Sequence, residues 1–378
     1  MIYHLLTESE PFSEHFGGAL SRWTANVLRD DENSTIVCPW ADTSWNFPPR
    51  RIITIESLRA YQRWASFFRR HSFGQFRPAL LNRVLNPLME KLHEGDILYI
   101  HNRPEYALAL HSRCHRMGVR LVLHMQNSHL TFFSKRVLSG LKLDAFVFCS
   151  SFLQSEAHHF GVPLTSTKVI PNGADEDLFF PADGKKLTTN KTSSPVVLFV
   201  GRLVPEKGAH LFLSAMKSLQ EKGIRALGKL IGATGFGGSG KSDYFEQLKR
   251  DKPSNVEFGE YVSGRELADQ YRNASLFCCP SIWNEPFGMV NVEAMATALP
   301  VVASAVGGIP EIFERGGGLL VPANHPEELA NAIELLIRDV GRRAQLSQEA
   351  FRSFQTRYRW QNIRSQYHAL LDSLGCAT

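Results

Sequence analysis

Residues 196–219 read VVLFVGRLVPEKGAHLFLSAMKSL, and three textures follow one another within them. Val196–Val200 is a short, continuous apolar run, as a strand buried on both faces requires. Gly201–Gly208 has glycine at each end and Pro205 between, which marks a loop. Leu211, Phe212, Ala215, Met216 and Leu219 then recur at the spacing of one helical face. Strand, loop and amphipathic helix in that order make half of a parallel βαβ unit.

The same alternation extends in both directions. Downstream, Leu227–Ile231, Val256–Phe258, Leu276–Cys279, Val301–Ser304 and Leu319–Val321 have strand character. Upstream, so do Tyr3–Leu6, Thr35–Cys38, Ile52–Ile55, Ile97–Ile100, Leu121–His124, Ala145–Phe148 and Lys168–Ile170. Between the two series, Pro181–Pro195 is polar, lacks periodicity and reads as a linker. The expectation is α/β: two Rossmann-like domains over 1–180 and 196–355, joined by 181–195. A closing helix within 356–378, with Ile363, Tyr367, Leu370, Leu371 and Leu374 on one face, is expected to pack back on the first domain.

Composition agrees. A chain of 378 residues fits two or three domains at about 150 residues each. With 43% hydrophobic and 21% charged residues it is neither disordered nor fibrous. A net charge of +5 is too small over this length to indicate a nucleic-acid coat. No signal-peptide pattern or long apolar span is present. The six cysteines (Cys38, Cys114, Cys149, Cys278, Cys279 and Cys376) lack zinc spacing, so reduced thiols and a cytoplasmic location are expected.

Three local patterns invite specific readings. Gly235–Ser242 satisfies the phosphate-cradling GxxxxGK[ST] spacing, but no later apolar run ends in the Asp that a nucleotide triphosphatase needs for magnesium. Asp175-Glu176-Asp177 matches a DxD metal-diphosphate pattern, yet it sits in a Pro-Asn-Gly turn that explains it equally well. Segment 50–83 carries eight arginines, Arg50 to Arg83, against Glu56 alone, interleaved with Tyr61, Trp64, Phe67, Phe68, Phe73 and Phe76. That mixture suits an anionic membrane surface or a negatively charged acceptor, and equally a solvated helix with a buried aromatic face.

The chemistry concentrates in the second half. Arg202 and Lys207 stand five residues apart where the strand Val196–Val200 ends, a place suited to a diphosphate. Glu285 precedes, and Glu293 lies inside, a helix expected to open at Gly288-Met289-Val290, whose unpaired N–H groups favour an anion. Two carboxylates beside a phosphate-binding helix end suit a sugar nucleotide, with Glu293 on the ribose and Glu285 on the sugar.

The set GRLVPEKG, EPFGMVNVEAMA, PVVASAVGGIPEI and PNGADEDLFFP resembles glycosyltransferase family 4, retaining enzymes of the two-domain GT-B fold whose Rossmann-like domains face each other across a donor/acceptor cleft. The resemblance is highly specific over about 196–325 and weaker over 1–180. It implies transfer of a hexose from a nucleotide diphosphate sugar, with UDP-glucose or a related UDP-sugar favoured over GDP-mannose, to a glycan or lipid-linked acceptor in envelope biosynthesis. No metal or other cofactor and no nucleic acid partner is implied, and the site is peripheral to the membrane at most. By the same resemblance Arg202 and Lys207 hold the diphosphate, and Glu285 and Glu293 form an E-x7-E pair. Phe287, Gly288, Met289 and Val290 hold sugar and phosphates, and Tyr261 and Val262 the base. Gly235, Phe236 and Gly237 belong to a donor loop, while Gly17 and Gly18 approach the diphosphate from the first domain. Where relatives often carry a His beside the transferred sugar this chain has Gln126, and His124, on the same side of an extended chain, is the expected substitute. His101, Asn102 and Arg103 are expected to line the acceptor side with Gln126. A GT-B epimerase or phosphorylase, or a non-catalytic coat or binding protein, are the alternatives.

Overall fold

The structure is a computed structural model. It describes all residues except 15–17, 43–44, 46, 49–50, 63–77, 134, 164–166, 183–193, 234–241 and 376–378. Most of the linker and of the Gly235 loop, residues 50 and 63–77 of the basic-aromatic segment, and Gly17 therefore lie outside the described residues. By its contacts the chain forms two compact units, Met1–Pro171 with Ile363–Thr378, and Asn172–Asn362.

The first unit holds a seven-stranded sheet with every pairing parallel. Its strands are β1 (Ile2–Leu5), β2 (Ser34–Cys38), β3 (Ile52–Thr54), β4 (Ile97–His101), β5 (Arg120–Met125), β6 (Ala145–Phe148) and β7 (Thr167–Val169). Their spatial order is β3-β2-β1-β4-β5-β6-β7. The interior strands β1, β2, β4 and β6 are buried along their whole length, which is why they read as unbroken apolar runs. The edge strands β3 and β7 are short and partly exposed.

The second unit repeats the plan with β8 (Val196–Val200), β9 (Leu227–Ile231), β10 (Val256–Gly259), β11 (Leu276–Cys279), β12 (Val301–Ser304) and β13 (Gly318–Val321), ordered β10-β9-β8-β11-β12-β13. Helix Ala209–Glu221 lays Leu211, Phe212, Ala215, Met216 and Leu219 into the core with Phe199, Leu230 and Val256. Helix Pro326–Arg338 adds Leu329, Ile333 and Leu336 to the same cluster. In each sheet the strand order reverses once, between β1 and β4 and between β8 and β11. Parallel α/β sheets bind ligands at the carboxyl ends of the strands beside such a reversal.

Each expected strand has a counterpart whose ends differ by at most one residue. The expected domain border at 180 moves to Pro171/Asn172 because 172–180 pack within the second unit. Ala174 bridges to Arg359, the Arg272 guanidinium donates to Leu178 O at 3.0 Å, and Phe179 sits edge-on to Tyr271. The closing helix, Trp360–Ser373, joins the first unit from Ile363 onward, not from 356.

That helix completes an enclosed aromatic and histidine cluster. His4, His101 and His124 are each 0% exposed, packed among Trp23, Tyr99 and Tyr367. His4 shares hydrogen bonds with His101 at 3.1 Å and with the Tyr367 hydroxyl at 2.8 Å. Burial, then the neighbouring His124 and Arg51, holds His4 down at about 3, and burial alone does the same to His124. The unfolded chain binds protons at these side chains near pH 6.5, whereas folded His4 and His124 bind them only near 3. Acid between those limits therefore favours unfolding, by about 1.4 kcal/mol per pH unit for each such histidine. The unfolding midpoint should fall as pH drops from 7.5 to 5, with a smaller pH slope in His124→Gln. A midpoint flat across that range would contradict a neutral cluster.

Candidate functional site

The site grows from the reversal between β8 and β11. From β8 the chain runs through a single 3₁₀ turn, Pro205–Lys207, to Gly208 at φ 72°. A Cβ at Gly208 would strike the Pro280 carbonyl at the end of β11, so only glycine lets the two loops approach this closely. The Ile282 amide donates to Glu206 O at 2.9 Å, tying one loop to the other. Lys207 and Glu285, 78 positions apart, are thereby held in direct contact.

Lys207 Nζ donates to Glu285 Oε1 at 2.5 Å, and the Ser281 hydroxyl donates to the same oxygen at 2.7 Å. The Trp283 ring lies 5.3 Å from Lys207 Nζ, a cation–π distance. Glu285 is only 5% exposed, and its carbonyl accepts from the Gly308 amide at 2.7 Å, which fixes its backbone against the loop after β12. Burial, with Glu285 beside it, pushes the Cys279 thiol up to about 11, so it stays protonated near neutrality.

Helix Met289–Ala296 opens at Gly288 with φ 99° and no side-chain cap, leaving amides at an electropositive end. One turn in, Glu293 is 6% exposed and accepts from the Tyr271 hydroxyl at 3.0 Å. Burial, reinforced by Glu293, pushes the Tyr271 hydroxyl well above its usual value, so it remains a donor. The loops after β8 and β11 thus combine a lysine, a helix mouth and two anchored carboxylates, a set suited to an anion attached to a polyhydroxyl group.

Other expected residues are placed differently. Arg202 is exposed on the β8 loop. Phe287 is 3% exposed and packs against Tyr358, so its ring belongs to the core. Met289 and Val290 are half-buried in the first turn of the helix, while Tyr261 is 55% exposed in the loop after β10, with Val262 half-buried beside it. Gly235, Phe236 and Gly237 lie outside the described residues. Asp175 turns back on the Asp177 amide and Glu176 lies 3.7 Å from Arg359, so this acidic triplet is engaged in local structure. Among the described residues no cluster of three His, Cys, Asp or Glu side chains is placed to hold a metal ion.

In the first unit the expectation for Gly18 meets a different occupant. Gly18 precedes helix Ala19–Val27, and the amides at that helix start turn to the Glu10 carboxylate, with Ser21 N to Oε1 at 2.9 Å. His124, expected beside the sugar, and His101, expected on the acceptor side, are both enclosed in the aromatic core: alternation along β4 and β5 turns them inward, so neither offers a ring to solvent. Asn102 serves the turn, at φ 56°, and its Oδ1 accepts from the Gln126 amide at 2.8 Å. Arg103 is bound through Nε and Nη2 to Glu8, at 2.7 and 2.9 Å, and the Tyr106 hydroxyl donates to Glu8 at 2.8 Å. Burial alone would raise the Glu8 carboxyl, and the Arg103 guanidinium overcomes it, holding it below the usual value. Gln126 is 6% exposed, and neither oxygen nor nitrogen of its side-chain amide has a partner among the described residues. His101 Nδ1, by contrast, also lacks a partner among the described residues but is sealed inside the aromatic core.

Ser281, Trp283, Tyr271 and Glu8 did not emerge from the sequence. Ser281 had a usable signal, a hydroxyl two residues past a strand and four before Glu285. Glu8 had none, because its partner lies 95 positions away.

Residues 25–178 match the family model described as Glycosyltransferase Family 4, and residues 183–353 that described as Glycosyl transferases group 1. Spore coat protein SA of Bacillus subtilis is 25% identical over 290 residues, 71% of this chain and 76% of its own length. A D-inositol 3-phosphate glycosyltransferase of Kineococcus radiotolerans is 34% identical over 215 residues, 52% of this chain; the chain spans about half of that relative, 49%. Among solved structures, Anabaena HepE in complex with UDP superposes with a TM-score of 0.76 at 23% identity, covering 98% of this chain and 99% of that one. Sucrose-phosphate synthase of Thermosynechococcus elongatus does so with a TM-score of 0.71 at 19% identity, covering all of both chains.

The approach of the two loops yields a stability test. Gly208→Ala should cost about 2 kcal/mol or more, from left-handed backbone and the blocked Pro280 carbonyl together. Gly223→Ala, at φ 71° with open space around it, should lose only the backbone part, about 1 kcal/mol. Equal losses in denaturant unfolding would show that the loops are not in fact this close.

Proposed function

We propose that this chain, which belongs to the glycosyltransferases of GT-B fold with a family 4 domain followed by a group 1 domain, transfers a hexose from a UDP-sugar to an acceptor hydroxyl with retained anomeric configuration. The observation that carries the reading is the Lys207–Glu285 contact beside the helix mouth at Gly288. UDP-glucose is favoured over GDP-mannose, because HepE has been solved with UDP and with UDP-glucose. The acceptor class is a glycan or lipid-linked glycan of the cell envelope, and segment 50–83 is the region proposed to meet an anionic membrane. No helix among the described residues is long and apolar enough to cross one.

In this reading Lys207, Arg202 and the first amides of helix Met289–Ala296 offset the charge that develops on the departing diphosphate. Glu293, held by Tyr271, takes ribose hydroxyls, and Glu285 takes hydroxyls of the sugar. Neither carboxylate acts as nucleophile. The acceptor hydroxyl attacks the face from which the diphosphate leaves, and its proton passes to the diphosphate oxygen. Tyr261 stacks on the base. Gln126 supplies a neutral amide where a His was expected, and no metal takes part. A second reading, a non-catalytic binding protein, draws on the likeness to a spore coat protein.

Thermal shift and turnover separate these readings. UDP should raise the unfolding midpoint more than GDP does, and UDP-glucose should release UDP. Lys207→Ala should keep the native circular dichroism and lose roughly 10²- to 10³-fold in turnover. A larger shift with GDP would reverse the donor base, and UDP binding without release of UDP under any acceptor would favour the binding protein.

A further inference from the structure

Glu285 is held by one oxygen. Oε1 accepts from both Lys207 Nζ and Ser281 Oγ, while Oε2 takes no hydrogen bond from a described residue. Ser281 is 1% exposed, so it touches no ligand itself, and its hydroxyl lies 4.0 Å from the Cys279 sulfur. We infer that Ser281 is a positioning residue, whose hydroxyl saturates Oε1 of Glu285 and thereby leaves Oε2 as the oxygen that meets the hydroxyls of the donor sugar. The inference rests on the transferase reading above and deepens it.

The physical case is one of competing partners. A carboxylate held only by Lys207 turns with that flexible side chain, and when a diphosphate draws the ammonium away, the carboxylate loses its anchor. A buried hydroxyl four residues earlier in the same loop does not respond to the diphosphate. Its directional bond keeps the carboxylate plane fixed as Lys207 changes partner. The loop is itself stiff, pinned at Ile282 N by Glu206 O and at Glu285 O by Gly308 N, so the hydroxyl is a fixed reference point.

Ser281→Ala should therefore lower kcat for UDP release from UDP-glucose by about 10- to 100-fold, the equivalent of one hydrogen bond to a charged group. Affinity for UDP alone, measured by calorimetry, should stay within about twofold, because UDP lacks the sugar that Glu285 orients. In a Glu285→Gln background, Ser281→Ala should cost less than about twofold more, since the oriented group is already changed. A role limited to structural support would give equal losses in both backgrounds. Ser281→Thr, which restores the hydroxyl, should recover activity, and a crystal structure of Ser281→Ala, a readout that needs no turnover, should show the carboxylate turned out of its wild-type plane while still paired with Lys207. Wild-type kcat in Ser281→Ala, or an unmoved carboxylate, overturns the positioning role alone. A wild-type chain that neither binds nor turns over any sugar nucleotide overturns the transferase reading together with it.

Discussion

Two loops leaving neighbouring parallel strands are kept apart by their own side chains, and this site exists because one of them gives way. Gly208, left-handed and without a Cβ, brings the turn Pro205–Lys207 against the Pro280 carbonyl. The contacts between the β8 and β11 loops follow from that closeness. It sets Lys207 on Glu285, allows Glu206 O to take the Ile282 amide, and aligns the β11 loop so that helix Met289–Ala296 starts beside both. The chemistry is thus positioned by main chain, with side chains added at fixed points.

The two units use one strand plan for different ends. In the second, the groups at the strand reversal are a cation, anchored acids and an uncapped helix. In the first, the corresponding groups are already paired: Arg103 with Glu8, the amides at the start of helix Ala19–Val27 with Glu10. Charge at that reversal is largely balanced internally, and Gln126 contributes an uncharged amide that no described residue bonds. Such a surface discriminates by hydrogen-bond geometry more than by attraction of charge.

The fold was legible because parallel strands buried on both faces leave continuous apolar runs, and β8 with its following helix shows such a run and a helical spacing within 24 residues. The helix start at Gly288 and the residues Lys207, Glu285 and Glu293 were legible from local spacing. What was not legible depends on distant parts of the chain. His124 and Gln126 share one side of an extended strand on paper, yet His124 lies within the β5 pleat and faces Trp23 and Tyr99, whereas Gln126 lies beyond the strand end. The pairing of Glu8 with Arg103, and the attachment of 172–180 to Tyr358 and Tyr271, require the fold to be known first.

The return of the chain at Ile363 has a consequence for biogenesis. Tyr367 closes the histidine cluster whose other members come from the first 124 residues. A ribosome therefore makes most of one unit early, yet cannot seal its interior until the whole of the other has been translated. The part synthesised first is finished last, and nascent chains must protect an open apolar seam during that interval.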